Sequence, residues 1–119
     1  MQKLTNKEEE VMIILWRLKK AFVKDIMADI KGKKPHYNTL STIVRNLEEK
    51  NYVGYEAFGK THRYYPLVSL EDYRKNFVNS KLAEYFDNSY KSMVSFFAKE
   101  EKISVKELKE IIDLIEKKK

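Results

Sequence analysis

The sequence predicts a mostly α-helical chain carrying one small β-hairpin, on three grounds. Apolar residues recur at i, i+3, i+4, i+7 in segment after segment, the spacing of one helix face. A single stretch, Tyr52 to Tyr65, drops that period and turns aromatic and strand-like around Gly59. Only three Gly and two Pro stand in 119 residues, too little punctuation for a many-stranded all-β fold. With 43% hydrophobic and 35% charged residues, the chain is expected to be soluble and folded rather than a disordered tail.

The first element opens at Thr5-Asn6-Lys7-Glu8, a capping box in which the Thr hydroxyl and Glu carboxylate satisfy free backbone N–H groups. Val11, Ile14, Leu15 and Leu18 follow on one face, with Trp16 beside it as a core residue. Val23, Ile26, Met27 and Ile30 repeat the template, and Gly32 is the expected stop. Lys33, Lys34 and Pro35 make a basic turn into a third helix whose inner face is Leu40, Ile43, Val44 and Leu47. Tyr52–Phe58 and His62–Tyr65 are the strands of a hairpin turning at Gly59-Lys60-Thr61, and Ala21 and Phe22 are candidates for a short third strand. Pro66 ends the second strand's pairing. Three short helices followed by a hairpin is the layout of a winged helix-turn-helix domain, expected over residues 1–68.

Residues 69–119 return to helix. Ser69 with Asp72 caps a helix to about Phe86, its inner face lined by Val78, Leu82, Tyr85 and Phe86, with Tyr73 and Phe77 a turn or so earlier. Asp87-Asn88-Ser89 breaks it, and Tyr90, Met93, Val94 and Phe97 form the next stripe. Ser104 to Glu107 is a second capping box, opening a helix with Leu108, Ile111, Ile112 and Ile115 on one face. So few residues make a poor independent core, yet each large apolar side chain left wet forgoes roughly 1.5–3 kcal/mol. Two arrangements close that surface: burial against a second copy, or a fold back onto the same chain. Homodimerisation is the expectation, through Phe77, Leu82, Tyr85, Phe86, Met93, Val94, Phe97, Leu108, Ile111, Ile112 and Ile115.

The net charge of +6 is concentrated in the first half, +5 over Met1–Leu67 against +1 over Val68–Lys119. Such a surplus suits a polyanionic partner. On the third helix, Asn38, Ser41, Thr42 and Arg45 fall opposite the apolar face, with Thr39 and Asn46 at the flank. Surface helices more often carry Glu and Lys there, which are better helix formers than Thr, Ser or Asn. Short hydroxyls, an amide and one guanidinium are groups that meet base edges in a major groove. Lys33 and Lys34 before this helix, with Lys60, His62 and Arg63 at the wing, are expected on phosphates. The expected partner is double-stranded DNA. A winged-helix module that binds protein instead is the alternative, its hairpin aromatics Tyr52, Tyr55, Phe58, Tyr64 and Tyr65 then forming a recognition surface.

Other chemistry is poorly supplied. Zero Cys excludes disulfides, thiolate metal sites and Cys nucleophiles, and fits a cytoplasmic setting. His36 and His62 are the only histidines and lack metal-binding spacing, so neither metal nor cofactor is expected. No nucleophile–base set, GxSxG or phosphate-cradling Gly loop is present, which argues against an enzyme. The longest apolar runs, such as Val11 to Trp16, are too short to span a membrane, and Met1 to Glu10 does not read as a signal peptide.

Thr39-Leu40-Ser41-Thr42-Ile43-Val44-Arg45-Asn46-Leu47-Glu48-Glu49-Lys50, running into Gly59-Lys60-Thr61-His62-Arg63-Tyr64-Tyr65-Pro66, resembles the penicillinase-repressor (BlaI/MecI/CopY) family. Glu10-Val11-Met12 followed by Leu15-Trp16 resembles the family's first helix, and the similarity runs nearly to the end. The resemblance implies a homodimeric repressor with an N-terminal winged helix, a helical C-terminal dimerisation region and a palindromic operator, typically of TACA/TGTA half-sites. Thr39 and Thr42 match recognition-helix positions, whereas Arg45 and Asn46 stand where the family commonly has a polar residue followed by Arg. The β-lactam-responsive members are cut by a membrane sensor protease in an Asn-Phe-Ala-Lys-like segment. Here Ser95-Phe96-Phe97-Ala98-Lys99 corresponds, with Phe96 in place of the Asn before the cut, and the resemblance implies cleavage between Phe96 and Phe97. The copper-responsive branch uses C-terminal Cys ligands, which this chain lacks.

Overall fold

Thr5 opens the first helix as the capping box requires. Its hydroxyl accepts from the Glu8 N–H at 3.2 Å, and its own N–H donates to Glu8 Oε1 at 2.8 Å. From there the computed structural model, which describes residues 1–117, builds α1 (Asn6–Leu18), β1 (Ala21–Phe22), α2 (Val23–Asp29), α3 (Tyr37–Glu49), β2 (Val53–Phe58), β3 (Thr61–Pro66), α4 (Leu70–Phe86), α5 (Tyr90–Lys99) and α6 (Val105–Lys117). The three strands form one antiparallel sheet in the order β1-β3-β2, so Ala21 and Phe22 do complete it. Gly59, at φ +63, supplies the left-handed residue of the wing turn.

The second helix ends earlier than expected, at Asp29 rather than beside Gly32. Ile30 is already extended, and its side chain is buried with the core. Lys34 explains the early stop. Its ammonium donates to the carbonyls of Met27, Ala28 and Ile30 at 2.8, 3.1 and 2.9 Å, satisfying groups a longer helix would have paired internally.

The chain forms two compact units, Met1–Arg74 and Lys75–Lys119. In the first, Val11, Met12, Ile14 and Leu15 of α1 meet Val23 and Ile26 of α2, Leu40, Val44 and Leu47 of α3, and Ala21, Val53 and Tyr64 of the sheet. Most are positions that the helical and strand periods point inward; Met12, fully buried, is not among those expected, and Leu18, which is, is only partly buried. The unit runs past Val68, the boundary expected from sequence, because Tyr73 belongs to it. The Tyr73 hydroxyl donates to Glu9 Oε2 at 2.6 Å, and its ring centroid lies 5.2 Å from that of Trp16. Trp16 in turn donates its indole N–H to the Val68 carbonyl at 2.8 Å. Burial and the bond to the Glu9 carboxylate push the Tyr73 phenol far up, so it stays protonated.

The second unit is thinly packed. Ser89 caps α5 through the Ser92 N–H at 3.1 Å, and Ser104 and Glu107 form the box that opens α6. Asp87 and Asn88 take positive φ at the break between α4 and α5. Among its described side chains Leu82 alone is buried. The side chains of Ile111, Ile112 and Ile115 lie outside the described residues.

Candidate nucleic-acid interface

α3 is presented in the way its sequence requires. Leu40, Val44 and Leu47 are buried and Ile43 packs against them, which turns Asn38, Thr39, Thr42 and Arg45 outward into exposure. Ser41 is half-buried at the edge of the strip. The Thr42 hydroxyl donates to the Asn38 carbonyl one turn back at 3.0 Å, leaving its methyl and its oxygen lone pair outward. His36 caps the helix without a side-chain hydrogen bond, so the first-turn N–H groups stay open to an outside acceptor.

Between α3 and the wing lies a cleft of about 460 Å³. Lys24, Tyr37, Ser41, Arg45, Lys60 and His62 line it. Among the described residues Lys24, Arg45 and Lys60 form no ion pair, so their charge is available to a partner. The His62 ring stacks on Tyr55, centroids 4.1 Å apart and planes at 11°, which holds the imidazole at the cleft wall.

The expected phosphate contacts divide into those placed here and those not. Lys60 and His62 are at the cleft, and Lys33 is exposed. Lys34, also expected on phosphate, is exposed and donates to the carbonyls at the end of α2. Arg63 is also placed differently. Strand pairing puts Glu56 opposite Arg63 and Ala57 opposite His62, so the two neighbours point to opposite faces of the wing. Lys24 and Tyr37 escaped the sequence reading. Lys24 stands in the first turn of α2, where the helix dipole disfavours a cation, and that mismatch was the available signal.

The hairpin aromatics divide: Tyr52 and Tyr64 are buried and Tyr65 is half-buried, whereas Tyr55, stacked on His62, and Phe58 are exposed. In the second unit the apolar surface is genuine. Phe77, Val78, Tyr85, Phe86, Met93 and Phe97 line a groove of about 670 Å³. Phe77 is 49% exposed, Tyr85 66% and Phe96 50%. Met93, Val94 and Leu108 are half-buried. Leu82 is corrected: at 3% exposure it is closed inside the protomer and is not free to meet a partner. The Phe96–Phe97 bond lies within α5, where the Phe96 carbonyl accepts from the Glu100 N–H and the Phe97 carbonyl from the Lys102 N–H.

Three helices, an antiparallel wing and an exposed polar strip on the third helix define a winged helix-turn-helix protein. A solved structure titled as the DNA-binding domain of the repressor BlaI shares this fold, with a TM-score of 0.53 at 22% identity over 61% of this chain and 94% of that one. The chain belongs to the penicillinase repressor family, whose model matches residues 4–117. It is 28% identical to the methicillin resistance regulatory protein MecI of Staphylococcus aureus strain N315, across 97% of this chain and 94% of that protein. A penicillinase repressor from Staphylococcus aureus is 26% identical over 91% of this chain and 86% of its own length. As a member of a repressor family the chain is not an enzyme. Among the described residues no helix is long and apolar enough to cross a membrane.

Proposed function

We propose that this repressor-family chain is a cytoplasmic homodimer that binds a palindromic operator in double-stranded DNA and blocks a promoter by occupying it. The observation that carries the proposal is the outward strip of Asn38, Thr39, Thr42 and Arg45, bordered by Lys24 and Lys60, which form no ion pair among the described residues. The strip supplies base-reading groups, and the cations supply sequence-independent affinity. Met1–Arg74 is the reading head and Lys75–Lys119 the dimerisation region. Two heads related by a twofold axis match half-sites about one helical turn, or a multiple of it, apart.

Two substitutions separate the roles. Arg45→Ala is expected to weaken operator binding by about 1–3 kcal/mol while changing mixed-sequence binding little. Lys60→Ala is expected to weaken both and to flatten the log–log salt dependence by about 0.9 per dimer half. Fluorescence titration with operator and mixed duplexes at several salt concentrations reads both. An unchanged salt slope for Lys60→Ala would remove the wing from the phosphate contact.

Release by a membrane sensor protease, cutting between Phe96 and Phe97, belongs to the same proposal. Proteases take extended backbone, so cleavage requires the last turn of α5 to unwind first. An intact chain after incubation with sensor-containing membranes and a β-lactam would reject this route.

A further inference from the structure

The outer face of the wing holds a charge arrangement that the reading surface does not use. Glu56 Oε1 accepts from Lys20 Nζ at 3.0 Å and from Arg63 Nη2 at 3.3 Å. The Arg63 guanidinium lies over the Phe58 ring, 4.9 Å from its centroid, and Phe22 meets Phe58 edge to face at 5.7 Å. Lys20 lies 6.0 Å from the Tyr65 ring centroid. Strand register places Phe22, Glu56 and Arg63 on one face, with Tyr55, His62 and Tyr64 on the other. One carboxylate oxygen therefore holds two cations, while Lys24, Arg45 and Lys60 at the cleft have no anionic partner among the described residues.

Such an exposed cluster adds little to stability, because solvent screens it and long side chains lose freedom to form it. Its larger effect is on the field outside the protein. Arg63 is not fully satisfied, since its Nε is buried without a hydrogen-bond partner among the described residues. The guanidinium thus depends on Glu56 and the Phe58 face for its position. Resting on the DNA-binding reading above, we propose that Glu56 is a positioning residue that limits non-specific affinity: it occupies Lys20 and Arg63 in place of DNA phosphates. A repressor must leave the large excess of non-operator DNA, and each phosphate-contacting cation strengthens that competing binding. Withholding Arg63 on the wing and Lys20 beside β1 lowers it without touching the strip on α3.

The test compares wild type, Glu56→Gln, Lys60→Ala and the Lys20→Ala/Arg63→Ala pair with and without Glu56→Gln, all as the full-length chain on a mixed-sequence duplex. Glu56→Gln is expected to raise affinity about tenfold at low salt and to steepen the log–log slope by about 0.9 for each cation released. Its advantage should then shrink by about threefold per released cation for a fourfold rise in salt. In the Lys20→Ala/Arg63→Ala background the same substitution should change the slope little. An unchanged slope for Glu56→Gln, beside a normal loss for Lys60→Ala, overturns the proposal. So does a Glu56→Gln effect that persists without Lys20 and Arg63, because the carboxylate would then act on DNA directly. If the wild type binds no duplex at any salt concentration, the DNA-binding reading itself has failed.

Discussion

Lys50→Met is expected to cost the first unit about 3 kcal/mol of stability, because it strands a buried carboxylate. Glu8 is 3% exposed and is, among the described residues, the buried charged one. Its Oε1 accepts from Lys50 Nζ at 2.7 Å and from the Thr5 N–H at 2.8 Å. Lys50 also donates to the Lys3 carbonyl at 3.1 Å, tying the N-terminal segment to the end of α3. Burial alone would push the Glu8 carboxyl up, but the hydrogen bonds from Lys50 and Thr5 outweigh it and hold the group below its ordinary value. A carboxyl depressed in the folded state contributes stability that is complete above the ordinary carboxylate range. That contribution is lost as pH falls through the folded value. Wild type should therefore weaken on acidification through this window.

The pair provides its own control. Adding Glu8→Gln to Lys50→Met keeps an oxygen for the Thr5 N–H and removes the stranded charge, so most of the loss should return. Urea unfolding followed by the emission of Trp16, the single tryptophan, reports on this unit. A loss below about 1 kcal/mol for Lys50→Met would mean that water already satisfies Glu8.

Phe97→Asp is expected to convert the proposed dimer to a monomer and to lower operator affinity by about a hundredfold to ten-thousandfold. Phe97 lies on α5 beside Phe96, ring centroids 5.7 Å apart, on the wall of the apolar groove. A carboxylate sealed into a dry interface has no partner there, whereas in the free protomer it remains hydrated. Sedimentation of the purified chain reads the association state, and circular dichroism shows whether α4 to α6 persist. Phe97→Ser, which carries no charge, is expected to weaken the dimer less. A Phe97→Asp protein that sediments as a dimer would place the interface elsewhere.

Local periodicity was enough for the existence of the helices and the hairpin and for the outward face of α3, but not for the end of α2 at Asp29 or for Ser41, which is half-buried. A 3.6-residue period states which side chains point inward, and burial of Leu40, Val44 and Leu47 leaves Asn38, Thr39, Thr42 and Arg45 no other side. The capping boxes at Thr5 and Ser104 were legible for the same reason: their partners are three residues away. Both depend only on spacing along the chain.

The fate of individual charges and rings was decided by tertiary structure. Lys33 and Lys34 are equivalent in sequence, yet Lys34 is drawn to the carbonyls that end α2. His62 and Arg63 are adjacent, yet the pleat sends one to the cleft and the other to Glu56. Lys50 reaches Glu8 across 42 residues, and Tyr73 reaches Glu9 across 64. Spacing sets the face on which a side chain lies, but what it meets depends on how distant segments pack. A cation's partner is therefore a property of the assembled fold.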